Sequence, residues 1–299
     1  MNKLIKYFKD KKYRFYVNGR LRINNLLPDK VFLKILYRVN FDKKLDLKQP
    51  KTFNEKLNFL KLYDRNINYV NMVDKYEAKK YFSNLCGEQH VIKTLGIYKK
   101  IEDIDFSKLP NQFVIKTTHD SGGVFIVKDK KDCDFNLLKQ KISKRLKINY
   151  FKKYREWPYK KIKPRILIEE FVRCNEAVLP VYKFFCFNGK VKIIQAIQND
   201  KTQIETIDYY NENWEKLNLK QNFPNSESGL KKPANFSDMV RMAEKLSVGF
   251  PFLRIDFYNA DDNILFSEFT FYSDAGIIKF EPEEWDSILG SYIDLGIIV

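Results

Sequence analysis

The amino-acid sequence predicts an α+β protein. Two capped helices can be read early in the chain, the second half is rich in hairpins, and this mixed order does not match the strict strand–helix alternation of a doubly wound sheet. Thr52-Phe53-Asn54-Glu55 is a capping box opening a helix with the apolar series Leu57, Leu60, Leu62. A second helix is expected from about Val73 to Cys86, closed by Gly87. Strands are expected at His90 to Tyr98, Gln112 to Thr118 and Val124 to Lys128, the last two forming a hairpin around Ser121-Gly122-Gly123. Asn136 to Asn149 has helical spacing, and Arg165 to Val172 reads as a short apolar strand. Further on, Tyr182 to Phe187 and Lys190 to Ile197 flank Asn188-Gly189, the dipeptide favoured in type I′ turns. Asp238 to Val248 is an amphipathic helix, and Phe252 to Tyr258 pairs with Ile264 to Phe271 around Asn259 to Asn263. No internal repeat of solenoid or propeller length is present.

Composition narrows the function classes. With 44% hydrophobic and 31% charged residues in 299, the chain is globular, and no apolar run approaches the roughly 20 residues of a spanning helix. Lys3 and Lys6 interrupt the first apolar stretch, so Met1 to Phe8 does not read as a secretory signal and a cytoplasmic location is expected. The four cysteines include no CxxC pair, and with only two histidines neither a zinc site nor a disulfide framework is indicated. The net charge of +16 is uneven: residues 1–70 carry 18 Lys and Arg against 6 Asp and Glu, whereas residues 161–299 are net acidic. An anion is expected at the amino-terminal half and, in the acidic half, a metal.

Three segments carry candidate chemistry. Lys116 ends an apolar strand and precedes the loop His119 to Gly123, an arrangement suited to polyphosphate, although an outward lysine on an edge hairpin reads the same way. Arg254 and Asp256 share one strand face, and Glu268 and Thr270 share a face of its partner, so Asp256 and Glu268 could hold Mg²⁺; a solvated sheet face is the alternative. Arg165 to Val172 ends in an acidic pair and could offer backbone to a purine, or be a plain core strand.

These segments occur in an order that resembles the ATP-grasp superfamily, in particular the teichuronopeptide-biosynthesis (TupA-like) family of bacterial surface-polysaccharide enzymes. The resemblance spans about Pro50 to Ser287. It rests on Lys51-Thr52-Phe53-Asn54-Glu55-Lys56-Leu57, Val73-Asp74-Lys75-Tyr76, Phe113 to Gly123, Arg155-Glu156-Trp157, Lys163-Pro164-Arg165, Tyr182 to Lys190, Gly249-Phe250-Pro251-Phe252, the Arg254 to Thr270 hairpin and Pro282-Glu283-Glu284-Trp285. It implies an ATP-grasp fold, two mixed subdomains clasping ATP. The expected division is a basic helical segment at 1–50, a small domain at 51–108, an ATP-binding subdomain at 109–178 and a catalytic subdomain at 179–299.

The resemblance also implies roles. Lys75 and Lys116 match phosphate-binding lysines, and His119 to Gly123, with Ser121, Gly122 and Gly123, matches a flexible lid over the phosphates. Glu169 would open the adenine hinge, Val172 would offer backbone to the purine, and Glu176 would accept the ribose hydroxyls. Lys183 matches a further basic position, Asp256 and Glu268 match Mg²⁺ carboxylates, and Thr270 sits where many relatives have Asn. Arg254 matches the arginine that stabilises the transferring carboxylate, and Asp274 stands where a Gly- and Pro-rich turn is expected. The implied activity is an ATP- and Mg²⁺-dependent carboxylate–amine ligase acting on a surface-glycan precursor or sugar uronate, with an amine or amino acid as second substrate. A glycosyltransferase on the same precursors is the alternative. An RNA-binding module lacks any RNP, KH or helix-turn-helix signature, so nucleic acid is not the expected partner. The basic stretch Met1 to Arg22 suits either an anionic membrane surface or an arm packed on the small domain.

Overall fold

A computed structural model describes residues 3–296; the first two residues of the basic amino-terminal stretch lie outside the described part. Three amino-terminal helices, α1 (Lys3–Lys9), α2 (Lys11–Arg20) and α3 (Asp29–Phe41), enclose a small core around Phe15, Phe32, Leu33 and Leu36. Next come α4 (Phe53–Tyr63), α5 (Asn68–Val73) and α6 (Lys75–Cys86). The expected second helix begins later than its apolar pattern because the Asp74 carboxylate accepts from the amides of Tyr76 (3.0 Å) and Glu77 (3.2 Å) and caps a new helix at Lys75.

The strands form two antiparallel sheets. In the first, β1 (Thr94–Tyr98), β2 (Phe113–Thr117), β3 (Val124–Val127) and β4 (Ile166–Glu170) are ordered β1-β4-β2-β3, with α7 (Phe135–Leu146) burying Leu138 and Ile142 in their core and the short α8 (Phe151–Tyr154) following it. β1 is shorter than expected, since His90 lies in a 3₁₀ turn with its Nδ1 2.9 Å from the Ile264 carbonyl. It shares a sheet with β2 to β4, so the expected boundary at residue 108 falls between strands of one sheet.

The second sheet is ordered β7-β6-β5-β8-β9, from β5 (Val181–Phe187), β6 (Lys190–Gln198), β7 (Thr206–Tyr210), β8 (Phe252–Ala260) and β9 (Asn263–Thr270). Asn188 (φ 47°) and Gly189 (φ 81°) make the expected β5–β6 turn. The β8–β9 turn is tighter than expected, with only Asp261 (φ 49°) and Asp262 (φ 63°) between the strands. β7 has no counterpart in the expected elements. Its central Asp208 breaks the apolar pattern, yet it is buried, paired with Lys216 at 2.9 Å and bonded to Ser226.

The two faces of this sheet differ. Phe184, Cys186, Ile255 and Phe257 belong to a large core with Phe82 of α6 and with Phe236 and Ala243 of α9 (Phe236–Ser247). The face of Lys183, Arg254 and Asp256 is polar at its centre, and at one end Phe252 packs edge-on against Phe53 of α4. α4 also presents a buried polar stripe, Asn54, Asn58 and Lys61, at the i, i+4, i+7 spacing of one helix face. These bond the Ile278 carbonyl (2.9 Å), the Gly276 carbonyl (2.7 Å) and the Ala275 carbonyl (2.7 Å), clamping the chain that leaves β9.

The start of α4 is locked from outside by α10 (Glu284–Ser291). A Cβ on Gly290 would lie 2.2 Å from the Lys51 carbonyl oxygen and 2.8 Å from the Phe53 amide nitrogen. Backbone cannot rotate aside as a side chain can, so Gly290→Ala is expected to lower unfolding stability by about 1–3 kcal/mol. Urea denaturation measures it, and an unchanged midpoint would mean that the helices separate freely.

Candidate active site

Side chains on one face of the second sheet align because strand residues alternate and the register places like faces opposite. Tyr209 lies opposite Gln195, Gln195 opposite Lys183, Lys183 opposite Asp256 and Asp256 opposite Glu268, giving a polar row across all five strands. Arg254 and Thr270 form the adjacent pair on β8 and β9. The Arg254 guanidinium donates two bonds of 2.8 Å to the Asp256 oxygens, one of 3.0 Å to Ser273 Oγ and one of 3.1 Å to Thr270 Oγ1, and approaches Glu268 at 3.6 Å. Burial opposes its charge, but Asp256 and Glu268 outweigh burial and hold Arg254 more firmly protonated than usual.

The adjacent carboxylates have different surroundings. Burial dominates at Asp256 and raises its pKa despite Arg254 and Lys183. At Glu268, whose side chain is 41% exposed, burial is overcome by Lys75, Arg254, Lys183 and Lys116, and the pKa is lowered. The pair offers hard oxygen donors suited to Mg²⁺, which is commonly held by one or two carboxylates plus phosphate oxygens and water. Arg254 takes one acceptor site on each Asp256 oxygen and leaves the second of each available. Thr270 Oγ1 accepts from Arg254 and adds a neutral oxygen. Among the described residues no cluster of three or more His, Cys, Asp or Glu side chains could hold a metal, so phosphate oxygens and water would complete the shell.

The first sheet faces this row with its own buried charges. Lys116 on β2 is buried rather than outward-facing, 2.6 Å from Glu169 on β4, and Lys79 of α6 reaches the other Glu169 oxygen and Thr94 Oγ1 (3.1 Å). Burial disfavours every charge in the triad. At Lys116 the attraction of Glu169 wins and the pKa rises, whereas at Lys79 burial wins and the pKa falls. Glu169, between two lysines, is lowered despite its burial. Its side chain is therefore a counter-ion to two lysines, a role beyond the hinge position expected for it. Lys75 donates to the Asp120 carbonyl; burial lowers its pKa against the opposing pull of Glu268 and Asp120.

The expected lid is only partly free. His119 and Asp120 are buried: His119 Nε2 lies 3.1 Å from the Ile148 carbonyl, and Asp120 pairs with Arg145 at 2.6 Å and accepts from Thr117 Oγ1. Only Ser121 and Gly122 are exposed, and a Cβ on Gly123 would lie 1.7 Å from Thr117 Oγ1. Half-buried Val172 and exposed Glu176 lie on the connection from β4 to β5, and Glu176 lines a small cavity with Asp261 and Asp262. Among the described residues, neither side chain bonds a member of the polar row.

Several polar and charged groups at the site were not among the expected site residues. Lys79, Gln195 and Tyr209 sit in patterns that read as helix surface or strand core, and Gln195 Nε2 donates to Tyr209 Oη at 2.9 Å. Glu156, inside the Arg155-Glu156-Trp157 motif, is buried near Lys61, Asp274 and Arg254. Asp274 is exposed and left-handed (φ 42°), a strained geometry for a non-glycine residue. Burial chiefly raises Glu156 to about 7, against the attraction of Lys61, and burial lowers Lys61 to about 8.

A carboxyl with a folded pKa above its unfolded value stabilises the fold at low pH and loses that contribution as pH rises through the folded pKa. Glu156→Gln should therefore gain stability relative to wild type between pH 4.5 and 7.5, on the order of 2–3 kcal/mol. Urea unfolding of both proteins across this range tests it. Parallel stability curves would place Glu156 in solvent.

The chain belongs to the TupA-like ATP-grasp family, whose model matches residues 55–294. Solved structures to which it is similar include a D-alanine–D-alanine ligase from Bacillus anthracis complexed with ATP, at 16% identity and TM-score 0.40, covering 67% of this chain and 53% of that one. The D-alanine–D-alanine ligase from Helicobacter pylori (16%, TM-score 0.42) covers 81% of this chain and 69% of that one. The VanG D-Ala:D-Ser ligase from Enterococcus faecalis (14%, TM-score 0.44) covers 78% and 63% respectively. The chain thus spans about half the length of the Bacillus anthracis ligase. No curated protein sequence matches it.

Proposed function

We propose that the protein is an ATP-dependent carboxylate–amine ligase that joins an amine or amino acid to a uronate of a bacterial surface-polysaccharide precursor. The observation that carries the ligase chemistry is the convergence of four cations from four elements on Glu268: Lys75 of α6, Lys116 of β2, Lys183 of β5 and Arg254 of β8. A lone carboxylate does not require four cations, whereas a polyphosphate held against a carboxylate pair does. Family membership supports the same chemistry, and the sugar substrate follows from the resemblance to surface-polysaccharide enzymes.

In this mechanism a substrate carboxylate oxygen attacks the γ-phosphorus and ADP leaves. The amine lone pair then forms the C–N bond as phosphate departs with the C–O electron pair and takes up the amine proton. Lys75 and Lys116 neutralise the phosphates, Lys183 adds charge beside Asp256, and Arg254, whose Nη1 bonds only Ser273, turns its one free N–H to the substrate carboxylate. Mg²⁺, when bound, supplies charge neutralisation between phosphate oxygens, and Asp256, Glu268 and Thr270 would hold it. Ser121, Gly122 and Gly123 cover the phosphates, Val172 offers backbone to the purine, and Glu176 accepts the ribose hydroxyls. We also place the protein in the cytoplasm, in peripheral contact with the inner leaflet. Leu4 and Phe8, each 67% exposed among lysines, support that contact, and no helix of the described residues is long and apolar enough to cross a membrane.

Asp256→Asn and Glu268→Gln should each abolish phosphate release with uronates and amines; Glu268→Gln should leave the thermal midpoint near wild type, whereas Asp256→Asn removes the buried partner of Arg254 and should lower it. Turnover at wild-type rates in both would remove the metal assignment. Arg254→Lys should retain ATP binding but slow ligation on the order of a hundredfold, because lysine keeps the charge without the planar fork. An unaltered single-turnover rate would reduce Arg254 to an ion-pair partner.

A further inference from the structure

The amino-terminal helices carry a second feature that ligase chemistry does not use. A cavity of about 810 Å³ lies between α2 and α3. Its base includes the buried core residues Phe15 and Leu45, and Ile23 (47% exposed) and Ile35 (37% exposed) stand at its rim. Five cations line it: Lys11, Arg14, Lys34, Arg38 and Lys44. Lys11 and Arg14 are three apart on α2, Lys34 and Arg38 are four apart on α3, and so each pair shares a face turned to the cavity.

Among the described residues no acidic side chain lines this space. Asp10 caps α2 by accepting from the Tyr13 amide at 2.9 Å, Asp46 accepts from the Lys48 (2.8 Å) and Gln49 (3.0 Å) amides, Asp29 pairs with Arg155 at 3.2 Å and Arg65 at 3.4 Å, and Glu283 pairs with Lys43. Among the described residues none of the five cations has an ion-pair partner within the protein. Like charges gathered around an apolar floor repel one another; an anion relieves that repulsion, and an apolar group attached to it adds to binding by displacing water from the floor.

We propose that this cavity binds the phosphate head of a single lipid, with the start of its hydrocarbon chain on the apolar floor. A nucleic acid would need exposed stacking surfaces, and Phe15 is buried. A lipid phosphate also suits the surroundings: Leu21 (64% exposed) and Leu26 (85% exposed), close in sequence to the lining residues Ile23 and Leu27, are exposed apolar side chains. The inference is independent of the ligase chemistry, and it deepens the membrane reading by naming the lipid group that would be held.

Calorimetric titration of the full chain, without ATP, uses decyl phosphate below its micelle concentration. Inorganic phosphate, a neutral decyl glycoside and an acidic amphipathic peptide serve as comparisons. Decyl phosphate should bind one to one and at least tenfold more tightly than any of the three. The double variant Lys34→Gln/Arg38→Gln, and Val39→Asn at a half-buried apolar residue that also lines the cavity, should each weaken it tenfold or more at an unchanged thermal midpoint, whereas Lys30→Gln, outside the cavity, should not. Because Lys34 and Arg38 are exposed, the charge variant keeps the test valid should Val39→Asn fail to fold. Equal binding of inorganic phosphate, tighter binding of the peptide, or indifference to the charge variant would overturn the inference. Sedimentation with anionic vesicles separates the two membrane ideas. Pelleting without decyl phosphate binding would leave peripheral contact standing and remove the lipid site, and decyl phosphate binding without pelleting would do the reverse.

Discussion

Arg254 sits where three parts of the molecule must agree. Its fork fixes Asp256 on its own strand, two of its other donors take Thr270 on β9 and Ser273 in the turn beyond, and the turn carries on to Ala275, whose carbonyl accepts from Lys61 of α4. A guanidinium with 8% of its side chain exposed cannot stay charged without such partners, so the hairpin, the turn and the helix are held in one arrangement by the need to satisfy it. That arrangement sets the spacing of Asp256 and Glu268.

Charge, more than apolar packing, occupies the space where the two sheets face each other. Lys116 with Glu169, and Lys75 with the Asp120 carbonyl, come from the first side, while Arg254, Asp256 and Glu268 come from the second. Burying so many ions costs more than packing hydrocarbon there would, and removing one partner from such a set typically costs about 3–5 kcal/mol. A site that must receive a polyphosphate gains from this cost, because fixed charges in a dry cleft need little rearrangement when the substrate arrives. Lys79 fits this logic. It shares Glu169 with Lys116 and so keeps the carboxylate ionised and Lys116 oriented, while contributing no donor to the cleft itself.

The amino-terminal helices stand apart from this arrangement in chemistry as well as in packing. Their core is a separate cluster, joined to the rest through contacts such as Arg155 with Asp29 and with the Asn24 carbonyl (2.9 Å). The cavity cations Lys11, Arg14, Lys34, Arg38 and Lys44 have no ion-pair partner among the described residues, whereas Lys116 and Lys79 share Glu169. In the reading proposed above, the cleft neutralises phosphate and the helical cavity takes an anionic partner.

Local chemistry was sufficient where neighbouring residues decide the outcome. The Thr52–Glu55 capping box, the Asn188-Gly189 turn and the Arg254–Asp256 strand face need only residues within a few positions, and the structure places each as its pattern implies. Family order added Lys75 and Lys116 to the same cleft. The limits are equally physical. β7 was hidden because Asp208 looks solvent-facing until Lys216 and Ser226 arrive from outside the strand, and α6 starts at Lys75 because a single carboxylate captures two amides. Glu156, Lys61, Gln195 and Tyr209 acquire their meaning from partners 14 to more than 90 residues away, whose positions only sheet register and helix packing determine. A sequence carries the identity of a charge, but the desolvation that shifts it and the counter-charge that steadies it are properties of the assembled fold.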